Sequence, residues 1–161
     1  MDNIVRVGMA DLNVVKHSGV ITTLGLGSCV GIVLYDPIAK IGGLAHIMLP
    51  YSNQVKNNSN KAKFADTGTI ELVKLMISVG AKKSNLVAKL AGGAQMFTFT
   101  QAVDLMNIGE RNILASREIL KRLNIPIIAE DTGKNYGRTI ELYTEDGSLH
   151  IKSVGHGIKI I

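Results

Sequence analysis

The sequence predicts an α+β domain with a mixed or mostly antiparallel β-sheet. Short apolar and β-branched runs outnumber the amphipathic helical patterns, of which there are two. Several of these runs are separated only by short turns, which is typical of antiparallel strands. With 161 residues, 46% of them hydrophobic, the chain has enough apolar material for one core. We therefore expect a single domain over residues 1–161.

Four strands are predicted in the first 50 residues. They are residues 4–7, 20–24, 29–35 and 41–49. The last two are nearly continuous apolar runs, and Asp36 and Pro37 between them are typical of a turn. These two runs are therefore predicted to pair as a hairpin. Residues 50–63 are polar and predict a functional loop within the domain.

Two helices are predicted in the rest of the chain. The first begins near Asp66, an N-cap residue type, and ends before Gly80, which suits a helix C-terminus. The second covers residues 109–123, and Glu118 and Arg122 form an i,i+4 pair on it.

Four further strands complete the prediction. They are residues 86–91, 127–129, 139–143 and 149–154. The last two flank Asp146 and Gly147, a strong hairpin signal.

Composition excludes several classes of function. The net charge of +5 is a mild bias, and four Tyr, three Phe and no Trp leave few stacking platforms for nucleic acid. No run of about 18 apolar residues predicts a membrane span, and the N-terminus lacks a signal-peptide pattern. We therefore expect a cytoplasmic protein with no membrane insertion. A single cysteine, Cys29, excludes an internal disulfide and a cysteine-rich zinc site.

A glycine-rich stretch surrounds that cysteine. Residues 24–31, LGLGSCVG, resemble G-x-G-x-x-G, but Val30 replaces the third glycine and a strand follows, so nucleotide binding is not expected. Gly25, Gly27 and Gly31 are instead expected to clear space around Cys29 for a backbone or a substrate.

Cys29 is either a small buried hydrophobic residue or a nucleophile. A nucleophile needs a nearby base, because only a few per cent of a free thiol is ionised at neutral pH. If the hairpin turn is centred between Pro37 and Ile38, Cys29 lies directly opposite His46 on one face. A turn of odd length would place them on opposite faces.

A third group should orient the histidine. Thr22 and Thr23 point to opposite sides of a strand, so only one of them reaches the imidazole. Glu130 and Asp131 are alternative carboxylate partners. The four histidines show no metal-binding spacing, and we expect neither a metal nor an organic cofactor.

Two segments resemble the CheD family of chemoreceptor glutamine deamidases: residues 23–29, TLGLGSC, and residues 44–50, LAHIMLP. The resemblance continues in order through residues 63–67, 91–97, 107–112 and 129–133. The stretch 98–104 departs from the family pattern.

The resemblance implies that Cys29 is the nucleophile, His46 the base and Thr23 the residue that orients the base. It also implies a layered α/β sandwich related to cysteine-dependent toxins that deamidate glutamine. The implied substrates are glutamines on cytoplasmic helices of methyl-accepting chemotaxis receptors, which become glutamate. Backbone N–H groups around Gly27 and Ser28 are the expected oxyanion donors.

The alternative function is a non-catalytic binding module. Members of the resembled family bind CheC-type phosphatases that act on phosphorylated CheY. Met96 and Phe97 form an apolar pair that is either core or the contact for such a partner.

Overall fold

The computed structural model describes residues 3–96 and 107–161 and has three layers: two β-sheets and a pair of helices. The predicted α+β class is confirmed, and so is the mostly antiparallel strand pairing. The sequence indicated one sheet, whereas the strands divide between two five-stranded sheets.

The described residues form ten strands and two α-helices. The strands are β1 Asn3–Val7, β2 Asp11–Lys16, β3 Gly19–Leu26, β4 Val30–Asp36, β5 Ile41–Ile47, β6 Val87–Gly92, β7 Ile127–Thr132, β8 Arg138–Tyr143, β9 Leu149–Ser153 and β10 Gly157–Ile160. The helices are α1 Ala65–Ser78 and α2 Ile108–Arg122, and 3-10 turns cover Ser52–Gln54, Lys61–Lys63 and Lys83–Asn85.

Sheet A has the strand order β1-β3-β8-β9-β10, and sheet B has the order β2-β5-β4-β6-β7. The pairs β1–β3 and β6–β7 are parallel. Sheet B is the middle layer, because α1 and α2 pack on one of its faces and sheet A on the other.

The middle position of sheet B explains the apolar runs in the sequence. Every residue of β4 and β5 is buried. Alternate side chains face different layers: Ile32 and Ala45 belong to the core under the helices, while Val33 and Leu44 belong to the core between the sheets. A strand covered on both faces has no polar side, so its sequence cannot alternate.

The predicted register of the β4–β5 hairpin is wrong by two residues. Asp36 pairs with Ile41, so the turn contains four residues, and His46 lies opposite Gly31 instead of Cys29. The Asp36 carboxylate stabilises this longer turn by accepting hydrogen bonds from the backbone N–H groups of Ile38 and Ala39. Because the shift is an even number of residues, Cys29 and His46 still share a face.

Helix α1 starts one residue before the predicted cap. Phe64 is its N-cap, and Asp66 lies within the first turn, where its carboxylate accepts hydrogen bonds from the Ser52 backbone N–H and hydroxyl. The predicted second helix corresponds to α2, and its Glu118–Arg122 ion pair forms at 3.1 Å. Strands β2 and β10 were missed, because β2 is polar and β10 is exposed throughout. Neither α1 nor α2 is long and apolar enough to span a bilayer.

Candidate active site

Thr23 and His46 are in contact between the two sheets, and Cys29 lies in the core between the same sheets. Thr23 lies on β3 of sheet A, and His46 lies near the end of β5 in sheet B. Cys29 immediately precedes β4 and belongs to the core between the sheets. The site therefore joins the two sheets.

Thr23 fixes the orientation of the imidazole. Its hydroxyl oxygen lies 2.7 Å from His46 Nδ1 and 2.7 Å from the carbonyl oxygen of Val7. A hydroxyl has one hydrogen, and the Val7 carbonyl can only accept it. The hydroxyl must therefore accept from Nδ1–H, which leaves Nε2 of the neutral ring without a proton.

His46 is thus held as a base with its free lone pair inside the protein. The residue is 1% exposed, and Nε2 has no hydrogen-bond partner among the described residues. Burial lowers the pKa of the imidazole, because the charged form loses its hydration. The ring is therefore neutral at physiological pH and available to accept a proton.

Cys29 is also nearly buried, with 8% of its surface exposed. Burial raises the pKa of the thiol, and a hydrogen bond from the residue's own backbone N–H partly offsets this effect. The resting pair is consequently a thiol and a neutral imidazole. Since Nε2 has no described partner, the thiol does not yet donate to it.

The loop after β6 fastens the segment that carries Cys29. The Gly93 N–H donates to the Cys29 carbonyl at 2.8 Å, and the Ala94 N–H donates to the Gly27 carbonyl at 2.8 Å. Gly92 has a φ of +104°, and a Cβ on it would lie 2.3 Å from the Cys29 carbonyl oxygen. The close approach of these two backbones therefore requires glycine at position 92. The sequence marked this glycine as the end of a strand without linking it to Cys29.

The glycines before and after Cys29 do less to open the site than their sequence suggests. A Cβ on Gly31 would lie 2.7 Å from Ile140 Cδ1, so this glycine makes room for sheet A and not for a substrate. A Cβ on Gly27 would contact Met96 Cγ at 3.4 Å. Gly25 is required by its positive φ of +69° in the irregular end of β3.

The alternative orienting residues are engaged elsewhere. The Thr22 hydroxyl donates to the Ile140 carbonyl. Glu130 forms an ion pair with Arg117 at 2.9 Å, and Asp131 forms one with the buried Arg138 at 3.0 Å.

Four further candidate residues were predicted from the sequence, and three of them lie in the described part of the chain. Gly27 and Ser28 directly precede Cys29 and are partly buried. Met96 is 46% exposed, so it is a surface residue. Phe97 and the stretch 98–104 lie outside the described residues. Within residues 3–96 and 107–161, no three His, Cys, Asp or Glu side chains are grouped to hold a metal ion.

Comparison with protein families shows which family the chain belongs to. A family described as CheD chemotactic sensory transduction matches residues 48–153. The chain belongs to the CheD family. The matched range begins after Thr23, Cys29 and His46, but similarity to individual CheD relatives runs through all three.

Two relatives cover nearly the full chain. A protein of Caldanaerobacter subterraneus named probable chemoreceptor glutamine deamidase CheD is 64% identical, over 98% of this chain and 98% of its own. A protein of Halalkalibacterium halodurans named chemoreceptor glutamine deamidase CheD is 51% identical over the whole of both chains.

A solved structure supports the fold of this CheD chain. The crystal structure of a Neisseria meningitidis protein of the DUF152 family has a TM-score of 0.50 and 10% identity. The match covers 83% of this chain and 64% of the other.

Proposed function

We propose that this CheD chain deamidates glutamine side chains of chemoreceptors, producing glutamate and ammonia. The two full-length relatives named as chemoreceptor glutamine deamidases support the reaction and the substrate. The observation in the structure that carries the mechanism is the imidazole of His46, whose Nδ1 is held by Thr23 and whose Nε2 has no hydrogen-bond partner among residues 3–96 and 107–161.

The reaction begins with proton transfer. His46 Nε2 takes the proton of the Cys29 thiol, and the thiolate attacks the carboxamide carbon of the glutamine. Apo enzymes often lack the catalytic hydrogen bond, which forms when substrate binds. We expect a bound glutamine to bring the sulfur within reach of Nε2.

The tetrahedral intermediate carries a negative oxygen that needs donors. Backbone N–H groups of Gly27, Ser28 and Cys29 are the available ones next to the sulfur. Protonated His46 then gives its proton to the leaving nitrogen, and ammonia departs. A thioester between Cys29 and the substrate remains.

Hydrolysis of the thioester closes the cycle. His46 Nε2 takes a proton from water, the resulting hydroxide attacks the thioester carbon, and the proton passes to the Cys29 sulfur as the bond breaks. The products are a glutamate side chain and the original thiol. No step requires a metal ion or an organic cofactor.

A helix of the receptor is the expected form of the substrate. Exposed Leu24 and Met9 border a depression of about 310 Å³ that also reaches Thr23. Apolar side chains at this rim would pack on a helix while one glutamine enters the site.

The test is deamidation of a purified receptor cytoplasmic fragment. The wild-type protein is expected to release ammonia and to produce the glutamine-to-glutamate mass gain at selected positions. Cys29→Ala should reduce the rate by about a thousandfold or more, because the nucleophile and its base act as a unit. If the variant releases ammonia as fast as the wild type, the proposed function is wrong.

Binding of a CheC-type phosphatase is a second proposal for the same surface. Met96 is exposed and lies beside Gly27, two residues before Cys29. A partner that contacts Met96 would therefore lie against the segment that carries Cys29. Met96→Glu should abolish capture of such a phosphatase, whereas Cys29→Ala should retain it. Equal capture by both variants would refute this contact.

A further inference from the structure

We propose that Asn112 is a positioning residue for the deamidation reaction. It holds the peptide group that carries the Cys29 N–H, and it tethers this group to the strand that carries His46. The inference rests on the proposed function, and neither sequence patterns nor relatives assign a role to this residue.

Asn112 lies on α2 and is fully buried. Its side-chain nitrogen donates to the Ser28 carbonyl at 3.0 Å and to the Met48 carbonyl at 2.9 Å. Ser28 is the residue before Cys29, and Met48 is the second residue after His46. One amide group therefore contacts both segments that carry the reacting side chains.

The Asn112 side-chain amide lies where the pairing between β4 and β5 ends. The last paired residues of β4 and β5 are Val30 and Ile47. Beyond them the second strand turns away, because the N–H groups of Met48 and Leu49 both donate to the Lys63 carbonyl. The two hydrogens of the Asn112 amide replace the missing ladder bonds and keep the two segments at a fixed distance.

The bond to Ser28 also orients the neighbouring N–H. In a trans peptide group the C=O and the N–H point in opposite directions. Because the Ser28 carbonyl points to Asn112 on α2, the Cys29 N–H points away from the helix. That N–H belongs to the same residue as the sulfur. It therefore lies beside the attacking atom, where the oxyanion of the intermediate forms.

The hydrogen-bond balance ties the Asn112 amide to these two carbonyls. Asn112 Oδ1 is buried without a hydrogen-bond partner in the described part of the chain. A buried acceptor without a partner destabilises the folded protein. An apolar side chain would remove this orphaned oxygen but would leave the Ser28 and Met48 carbonyls without their donor, so the amide is explained by the two carbonyls that it holds.

The test compares Asn112→Leu with the matched control Ser116→Ala. Leucine nearly preserves the volume and removes both donors. Ser116 lies one turn later on α2, is fully buried, and its hydroxyl donates only to the Asn112 backbone carbonyl. The measurements are kcat and KM for ammonia release from the receptor fragment, the pH profile of Cys29 alkylation by iodoacetamide, and thermal unfolding.

We expect Asn112→Leu to lower kcat by about a hundredfold, the loss typical of a misplaced reacting group, and to leave KM unchanged. The alkylation inflection should move to higher pH, because the sulfur loses its oriented N–H. Ser116→Ala should change neither quantity. Asn112→Ala, which adds no atoms, is the second variant and should show the same losses.

The proposal is overturned if both Asn112 variants keep the wild-type kcat and alkylation profile. It is also overturned if both unfold at the assay temperature while Ser116→Ala does not, since Asn112 is then a stability residue. Failure of the proposed function has a different signature, namely a folded wild-type protein that releases no ammonia. The alkylation profile still tests Asn112 in that case.

Discussion

The proposed nucleophile, Cys29, and the proposed base, His46, are both uncharged in the resting site. Burial raises the pKa of Cys29 and lowers the pKa of His46, so each effect disfavours a preformed thiolate–imidazolium pair. In the proposed mechanism the thiolate forms only when His46 Nε2 receives the proton. This arrangement protects the thiol from oxidation and alkylation between turnovers.

This charge state predicts two pH profiles. The inflection for iodoacetamide alkylation of Cys29 should lie above the value of about 8.5 for a free cysteine. In kcat/KM, activity should fall as pH drops through the lowered pKa of His46, with a midpoint below the usual value of about 6.5. His17→Gln, a change at a partly exposed histidine, should leave this acid limb in place. An alkylation inflection well below 8 would contradict the neutral pair.

Removal of the Thr23 hydroxyl is expected to lower kcat strongly. Thr23→Val keeps the shape and removes the acceptor for His46 Nδ1–H. The imidazole can then rotate, and kcat should fall by about a hundredfold. Thr22→Val is the matched control, because it also loses a buried bond, to the Ile140 carbonyl, but does not contact His46. Equal losses of kcat in both variants would refute the orienting role.

The sequence could name candidate residues for orienting His46, but it could not decide between Thr22 and Thr23. Alternation along β3 showed that only one of Thr22 and Thr23 faces the imidazole. Which of the two does so depends on the strand that packs against that face of β3. That strand, β5, belongs to the other sheet. Side-chain contacts between sheets have no signature in a single sequence.

At the scale of elements, the segment between β3 and β4 is held by the loop that follows β6. The Gly93 N–H bond to the Cys29 carbonyl, together with the close approach of Gly92 to the same carbonyl, holds Cys29 more directly than the glycines next to it in sequence. Gly92→Ala should therefore displace Cys29 and lower kcat at least about tenfold. Ammonia release from the receptor fragment is the measurement.

Gly133→Ala is the control for the backbone strain that Gly92→Ala introduces. Gly133 also has a positive φ, +80°, but a Cβ on it would meet no atom within 4 Å. Both variants should lose about 1–2 kcal/mol of unfolding free energy from the left-handed conformation. Only Gly92→Ala should lose activity; an equal loss in Gly133→Ala would contradict the assignment.

Element prediction succeeded where local patterns determine the structure. The hairpin at Asp146 and Gly147 forms as predicted between β8 and β9. The β4–β5 hairpin has the predicted strands but another register, because Asp36 caps a four-residue turn with its side chain. Turn length is set by such local bonds, and they shift Cys29 from its predicted position opposite His46.

At the scale of the whole molecule, the site depends on the distance between the two sheets. Gly31 and Gly43 lie in the middle layer and allow close packing on its opposite faces. A Cβ on Gly31 would meet Ile140 Cδ1 at 2.7 Å in sheet A, and a Cβ on Gly43 would meet Met76 Sδ at 2.7 Å in α1. The division into two sheets was not predictable, since apolar runs do not show which strands share a sheet.

These two glycines predict separate effects on stability and activity. Gly31→Ala and Gly43→Ala should each cost about 1–3 kcal/mol of unfolding free energy through overpacking. Only Gly31→Ala separates the sheets and lengthens the Thr23–His46 contact, so only this variant should lose kcat. A matching loss of kcat in Gly43→Ala would show that activity follows stability alone.

In the proposed reaction Cys29 forms a thioester with the receptor glutamine. Hydroxylamine tests it directly, because it attacks a thioester and leaves a hydroxamate on the side chain in place of the carboxylate. With the wild-type protein, mass spectrometry of the receptor fragment should show hydroxamate at the deamidated positions, rising with hydroxylamine concentration and absent with Cys29→Ala. Glutamate formation without hydroxamate at every concentration, together with continued conversion by Cys29→Ala, would contradict the account.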